Sequence, residues 1–129
     1  MAARPLALAA AAGALLAAGG CVTPAPTHYA WGSYEELIYA AEARPGTFAP
    51  EAQVEQLEKD REAARAAQKP LPPGWHAHLG YLHFQLGHGD LARDELIAEK
   101  TQFPEATALV DRLLTNMGAG AGAGTGPQP

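Results

Sequence analysis

Proline and glycine divide this chain before any other feature can shape it. Breaks fall at Pro45-Gly46, at Lys69-Pro70-Leu71-Pro72-Pro73-Gly74, at Gly87-His88-Gly89 and at Pro104. Proline lacks the amide hydrogen that a helix interior needs, and glycine readily takes the conformations that turns require. Between the breaks the apolar residues recur at helical spacing. Tyr34, Leu37, Ile38 and Ala41 form the first stripe, with Ser33 as the expected N-cap. The second helix begins near Pro50, a residue suited to a first helical turn, and carries Val54, Leu57, Ala64 and Ala67. Trp75, Leu79, Leu82 and Leu86 mark the third. Leu91, Ala92, Leu96 and Phe103 mark the fourth, with Asp90 as its expected N-cap. Beyond Pro104, Ala106, Leu109, Val110, Leu113, Leu114 and Met117 make the cleanest apolar stripe in the chain. The expected fold is all-α, with about five helices joined by short loops into antiparallel hairpins.

The N-terminus reads as an address. Met1–Arg4 is weakly basic, and an apolar run follows from Leu6 to Ala18. Such a run covers roughly 20 Å as a helix, short of the ~30 Å hydrocarbon core of a bilayer. That length suits a secretory leader. It ends in Ala18-Gly19-Gly20-Cys21, and Cys21 is the single cysteine. Small residues before a cysteine resemble the processing site of bacterial lipoproteins, which implies cleavage after residue 20 and acylation of Cys21. The large aliphatic residue usual three positions before that cysteine is replaced by Ala18. Three acyl chains would anchor the protein stably in a membrane. Val22 follows the cysteine where an aspartate would retain a lipoprotein at the inner membrane, so the resemblance implies an outer-membrane, periplasm-facing location. The predicted organisation is a leader over 1–20, a lipidated cysteine and proline-bearing tether over 21–30, a helical domain over 31–117, and a disordered Gly/Ala tail over 118–129.

Removing the leader and the tail leaves roughly a hundred residues, one small domain. A lone cysteine excludes an intrachain disulfide framework and any multi-cysteine metal site. The net charge of −5, with no stripe of Lys and Arg, makes nucleic acid a poor partner.

The third and fourth helices resemble a tetratricopeptide repeat. Leu79-Gly80, Gly87, Ala92 and Pro104 stand where that repeat has its Leu-Gly pair, turn glycine, small second-helix residue and closing proline. His83 stands where tyrosine is usual, and Glu99 where a second alanine is usual. Four stretches carry a wider resemblance: Tyr29-Ala30-Trp31-Gly32-Ser33-Tyr34-Glu35; Pro72 through Gly80; Gly87 with Asp90 and Ala92; and Glu99-Lys100-Thr101-Gln102-Phe103-Pro104-Glu105. In these the chain resembles bacterial lipoproteins labelled domain of unknown function 4810, over about Cys21 to Leu114. The resemblance implies an outer-membrane lipoprotein with a tetratricopeptide-like domain. It also implies neighbours among small envelope lipoproteins, one of them similar to the curli secretion channel. It brings no catalytic residue with it.

Four histidines, His76, His78, His83 and His88, invite a metal reading. The pairs 76/78, 78/83 and 76/83 lack the i, i+3 or i, i+4 spacing that two ligands on one helix need. His76 and His83 share a face but stand about 10 Å apart along the axis. No metal and no cofactor is assigned. Ser33 is the only serine and reads as a cap, and no carboxylate stands out as desolvated, so no catalytic residue is assigned either. Tyr29, Trp31 and Tyr34 could staple the N-terminus to the domain, lie at a membrane surface, or receive a partner. First helices line the inner face of a hairpin array, which makes Trp31, Tyr34, His76, Tyr81 and His83 the candidate solvent-directed partner surface. The functional expectation is a non-enzymatic interaction module that is anchored to outer-membrane lipid through Cys21 and binds other envelope proteins. Regulation of cell-wall synthesis or secretion is the alternative, and a cell-wall-acting enzyme is a third reading.

Overall fold

The computed structural model describes residues 27–123, with side chains described up to 118. Cys21, the leader and the residues as far as Pro26 lie outside the described residues, as do 124–129. The helices are α1 (Tyr34–Ala43), α2 (Pro50–Ala66), α3 (Trp75–Gln85), α4 (Gly89–Gln102) and α5 (Thr107–Ala123), with a 3₁₀ turn at Pro104–Ala106 before α5. No strand occurs among the described residues. Every expected break is found, and the fold is all-α with five α-helices.

Of the two expected N-caps, Ser33 holds its position without a side-chain capping bond and Asp90 is corrected. The Ser33 hydroxyl donates to Asp60 Oδ2 at 2.5 Å, and its backbone amide donates to the same oxygen at 2.8 Å. The start of α1 is therefore tied to α2 instead of closing on itself. Asp90 lies inside the first turn of α4, and His88 holds the capping position without a side-chain bond. At Asp90 a carboxylate still complements the positive end of the helix dipole.

Leu37 of α1, Leu57 and Ala64 of α2, Leu71 of the connection, and Trp75, Leu79 and Leu82 of α3 form the main core. Trp75, Leu57 and Leu79 are fully buried. Ala92 and Leu96 of α4 are buried against the other side of α3, where Gly80 allows the close approach. A Cβ on Gly80 would stand 3.0 Å from the Ala92 carbonyl oxygen and 3.2 Å from Leu96 Cγ. The small pair therefore meets as the sequence pattern predicts.

The N-terminal aromatics pack on the domain. Ala30 donates its amide to the Pro70 carbonyl at 2.9 Å. Tyr29 meets Phe103 edge-on, and Trp31 stacks on Tyr34. Tyr29 and Ala30, assigned to the tether from sequence, thus lie against the helices. At the other end, α5 continues to Ala123, past Gly118 where the tail was expected to begin. Adding residues to an existing helix needs no new nucleus, and the alternating alanines partly offset the glycine penalty.

Candidate functional site

The polar chemistry of the domain gathers where α2, α3 and α4 meet. Arg61 projects from α2, His76 from the first turn of α3 and Glu95 from the middle of α4. Arg61 Nη2 donates to Glu95 Oε1 at 2.5 Å, and His76 Nδ1 lies 2.7 Å from Glu95 Oε2. An ionised carboxylate only accepts, so Nδ1 carries the hydrogen and the ring orientation is set. All three side chains are largely buried, at 18%, 14% and 13% exposure respectively. The Arg61 guanidinium also lies over the Trp75 ring, 5.1 Å from its centroid. Burial on its own would raise the Glu95 pKa. The hydrogen bonds and charges of His76 and Arg61 outweigh it and hold the carboxyl below its ordinary value.

This carboxylate corrects the expectation that none stands out as desolvated. Glu95 is partly desolvated, and it gives His76 an acidic partner. A second such carboxylate is Glu99, only 3% exposed. Its Oε1 accepts from the Gly74 amide at 2.7 Å and its Oε2 from the Ala77 amide at 3.3 Å, so α4 caps the start of α3. Gly74 has φ +86°, and a Cβ there would stand 2.7 Å from the Tyr34 hydroxyl oxygen. Tyr34 is half-buried. Its pKa is raised by that burial and then by the Glu99 charge.

The structure scatters the five residues expected to form a solvent-directed surface. His83 is buried, at 7% exposure, and its Nδ1 has no hydrogen-bond partner among the described residues. Burial lowers its pKa, although the charges of Glu95 and Glu58 pull the other way. His76 is taken up by Glu95, while Trp31 and Tyr34 pack on each other. The helix face that His76 and His83 share is turned toward Arg61 and Glu95 in the seam. Tyr81 is the exception, at 52% exposure.

Two clefts meet at Tyr81. One, of about 360 Å³, runs between the α1–α2 connection and α3, past Arg44, Phe48, Gln53 and His78 to Tyr81 and Gln85. There the His78 ring, its pKa lowered by burial, lies 3.3 Å by Nε2 from Gln53 Oε1. Gln85 Nε2 donates to the Tyr81 hydroxyl at 2.9 Å. The other cleft, of about 160 Å³, lies between α3 and α5 and is lined by Tyr81, Phe84, Leu96, Leu113 and Met117. It is a predominantly apolar slot with an aromatic at its lip. Sequence reasoning found Tyr81 by its place on a first helix and missed the slot, whose walls come from three helices.

Among the described residues no three histidine, cysteine or acidic side chains are grouped to hold a metal ion. No described helix is long and apolar enough to cross a membrane.

A five-helix, all-α domain with a polar seam on one side and an aromatic-lipped cleft on the other thus defines the molecule. The family model described as domain of unknown function (DUF4810) matches residues 28–113, well over half of the chain, and the protein belongs to that family. The match begins at the aromatic segment that packs on the helices and ends within α5. No curated protein and no solved structure matches the chain.

Proposed function

We propose that this protein is a lipid-anchored helical interaction module at the periplasmic face of the outer membrane. Cys21 is the acylated residue, and the domain receives an extended or helical segment of another envelope protein. The observation that carries the binding half of this reading is Tyr81, an exposed aromatic where a polar-edged cleft and an apolar slot meet. Aromatic residues in such settings supply large contact area at small entropic cost and dominate binding energies. The anchoring half rests on the small residues before Cys21 and on the leader that precedes them. A tetratricopeptide-like arrangement of α3 and α4 is part of the proposal, supported by the Gly80–Ala92 approach.

The test has two parts. The Cys21→Ser chain is expected to lose incorporation of radiolabelled palmitate and to leave the outer-membrane fraction; label retained in this variant would remove the anchor. Tyr81→Ala is expected to reduce co-purification of crosslinked envelope proteins while leaving the circular dichroism spectrum unchanged. Undiminished recovery would take the binding surface away from Tyr81.

A further inference from the structure

On the opposite side from Tyr81, beside the polar seam, lies a third concavity of about 260 Å³ whose lining includes Arg61, Arg65, Lys69, His76 and Gln102. Three of the nine lysines and arginines of a chain with net charge −5 line this one hollow, and no carboxylate does. We propose that this hollow binds a phosphate group.

The polar groups come from separate places. Arg61 and Arg65 stand one turn apart on α2, Lys69 follows the end of that helix, and His76 comes from α3. Arg65 and Lys69 on their own would be ordinary complements to the C-terminal end of α2. Arg61 and His76 need a different account. Glu95 holds each by one nitrogen, which leaves Nη1 of Arg61 and Nε2 of His76 without a hydrogen bond among the described residues; Nε2 becomes a donor when the ring is protonated. Arg61 Nε is buried with no hydrogen-bond partner and faces Glu58 only at 3.5 Å. A carboxylate behind a guanidinium and an imidazole orients both toward what lies in front of them. Lys69 makes no ion pair among the described residues. Among the described residues Arg65 pairs only with Glu62, with both side chains mostly exposed, a contact an incoming anion displaces at little cost. The α3 amides of Gly74 and Ala77 are already taken by Glu99, so side chains do the recognising. Two guanidinium groups and an ammonium group converging on one hollow, with an imidazole beside them, suit the oxygens of a phosphate.

The position suggests one source. Ala30 bonds to Pro70, which stands between Lys69 and Leu71 of the hollow, so the N-terminal chain reaches the domain beside this pocket. If Cys21 is acylated as proposed above, the short stretch of chain between Cys21 and Ala30 keeps lipid headgroups within reach of this pocket. The phosphate itself does not depend on that reading.

The experiment follows the His76 side-chain resonances by NMR, using the full chain in dodecyl maltoside micelles. Inorganic phosphate is titrated in at constant ionic strength against sodium chloride, and in a second arm the micelles are doped with phosphatidylglycerol. A saturable shift with inorganic phosphate supports the pocket and a free phosphate source. A shift only with phosphatidylglycerol supports the pocket and a headgroup source. In either case Arg65→Gln with Lys69→Gln, both on exposed side chains, is expected to weaken the apparent affinity about tenfold. No shift in either arm, an equal shift with chloride, or an undiminished affinity in the double variant would overturn the proposal. Because the inorganic phosphate arm needs no acyl chain, its failure is separable from failure of the anchor.

Discussion

α3 and α5 both carry a clear apolar stripe, yet only α3 is enclosed. Trp75, Leu79 and Leu82 are buried on α3, between α2 on one side and α4 on the other. On α5 Val110 is buried, Leu113, Leu114 and Met117 are half-buried, and Leu109 is 56% exposed. The difference is one of neighbours. α5 packs against α4 and the 3₁₀ turn, with no helix on its far side among the described residues. An apolar stripe states what a helix is able to bury; the number of partners decides how much of it is buried. The uncovered part of the stripe forms one wall of the slot beside Tyr81.

The largest expected effect tests the enclosed side. Trp75→Ala removes a fully buried ring together with the surface on which Arg61 lies, and should cost about 3–5 kcal/mol in chemical denaturation. A loss below about 1 kcal/mol would mean that α3 is no better packed than α5.

Gly80→Leu comes next. The Ala92 carbonyl and Leu96 leave no room for a side chain, so overpacking should cost about 1–3 kcal/mol and lower the melting temperature by several degrees. An unchanged melting curve would show that α3 and α4 are free to move apart.

Glu95→Gln separates the polar seam from the apolar core. Loss of the charge facing Arg61 and His76 should cost about 1 kcal/mol at neutral pH, once solvent screening is allowed for. The pH dependence has a definite sign. The folded pKa of Glu95 is depressed below its ordinary 4.5, so its stabilisation is present above that value and is lost as pH falls through the lower folded one. The variant should lack this acid-side loss; a stability–pH curve parallel to that of the parent would show that the seam contributes nothing to folding.

The smallest effect belongs to α5. Leu109→Ala should change stability by less than about 0.5 kcal/mol, because the side chain is already mostly in water. A larger loss would indicate that this face is covered in solution.

What could be read in advance follows the range of the physics. Pro45, Pro72, Pro73, Gly87 and Pro104 act within a residue or two of themselves, so the helix boundaries were legible. Gly80 and Ala92 were legible because two small residues at that spacing have a steric use. Ser33 and Asp90 have the composition of caps, but composition did not reveal that Asp60 would take the Ser33 hydroxyl. Glu95 was invisible because its partners lie 34 and 19 residues away, on two other helices. Glu99 looked like a departure from a repeat pattern, whereas it caps a helix whose N-cap residue, Gly74, lies 25 residues earlier. The same distance effect turned His83 from an expected surface residue into a buried one.

From the sequence by itself came the all-α class, the five helices, the hairpin contact at Gly80 and the likeness to the family, since each rests on local backbone rules or a short pattern. The polar seam, the slot at Tyr81 and the hollow between Arg61 and Lys69 came only from tertiary structure. Each needs side chains from at least two helices at distances of a few ångströms, and helical periodicity tells which face a residue shares without telling what that face will meet.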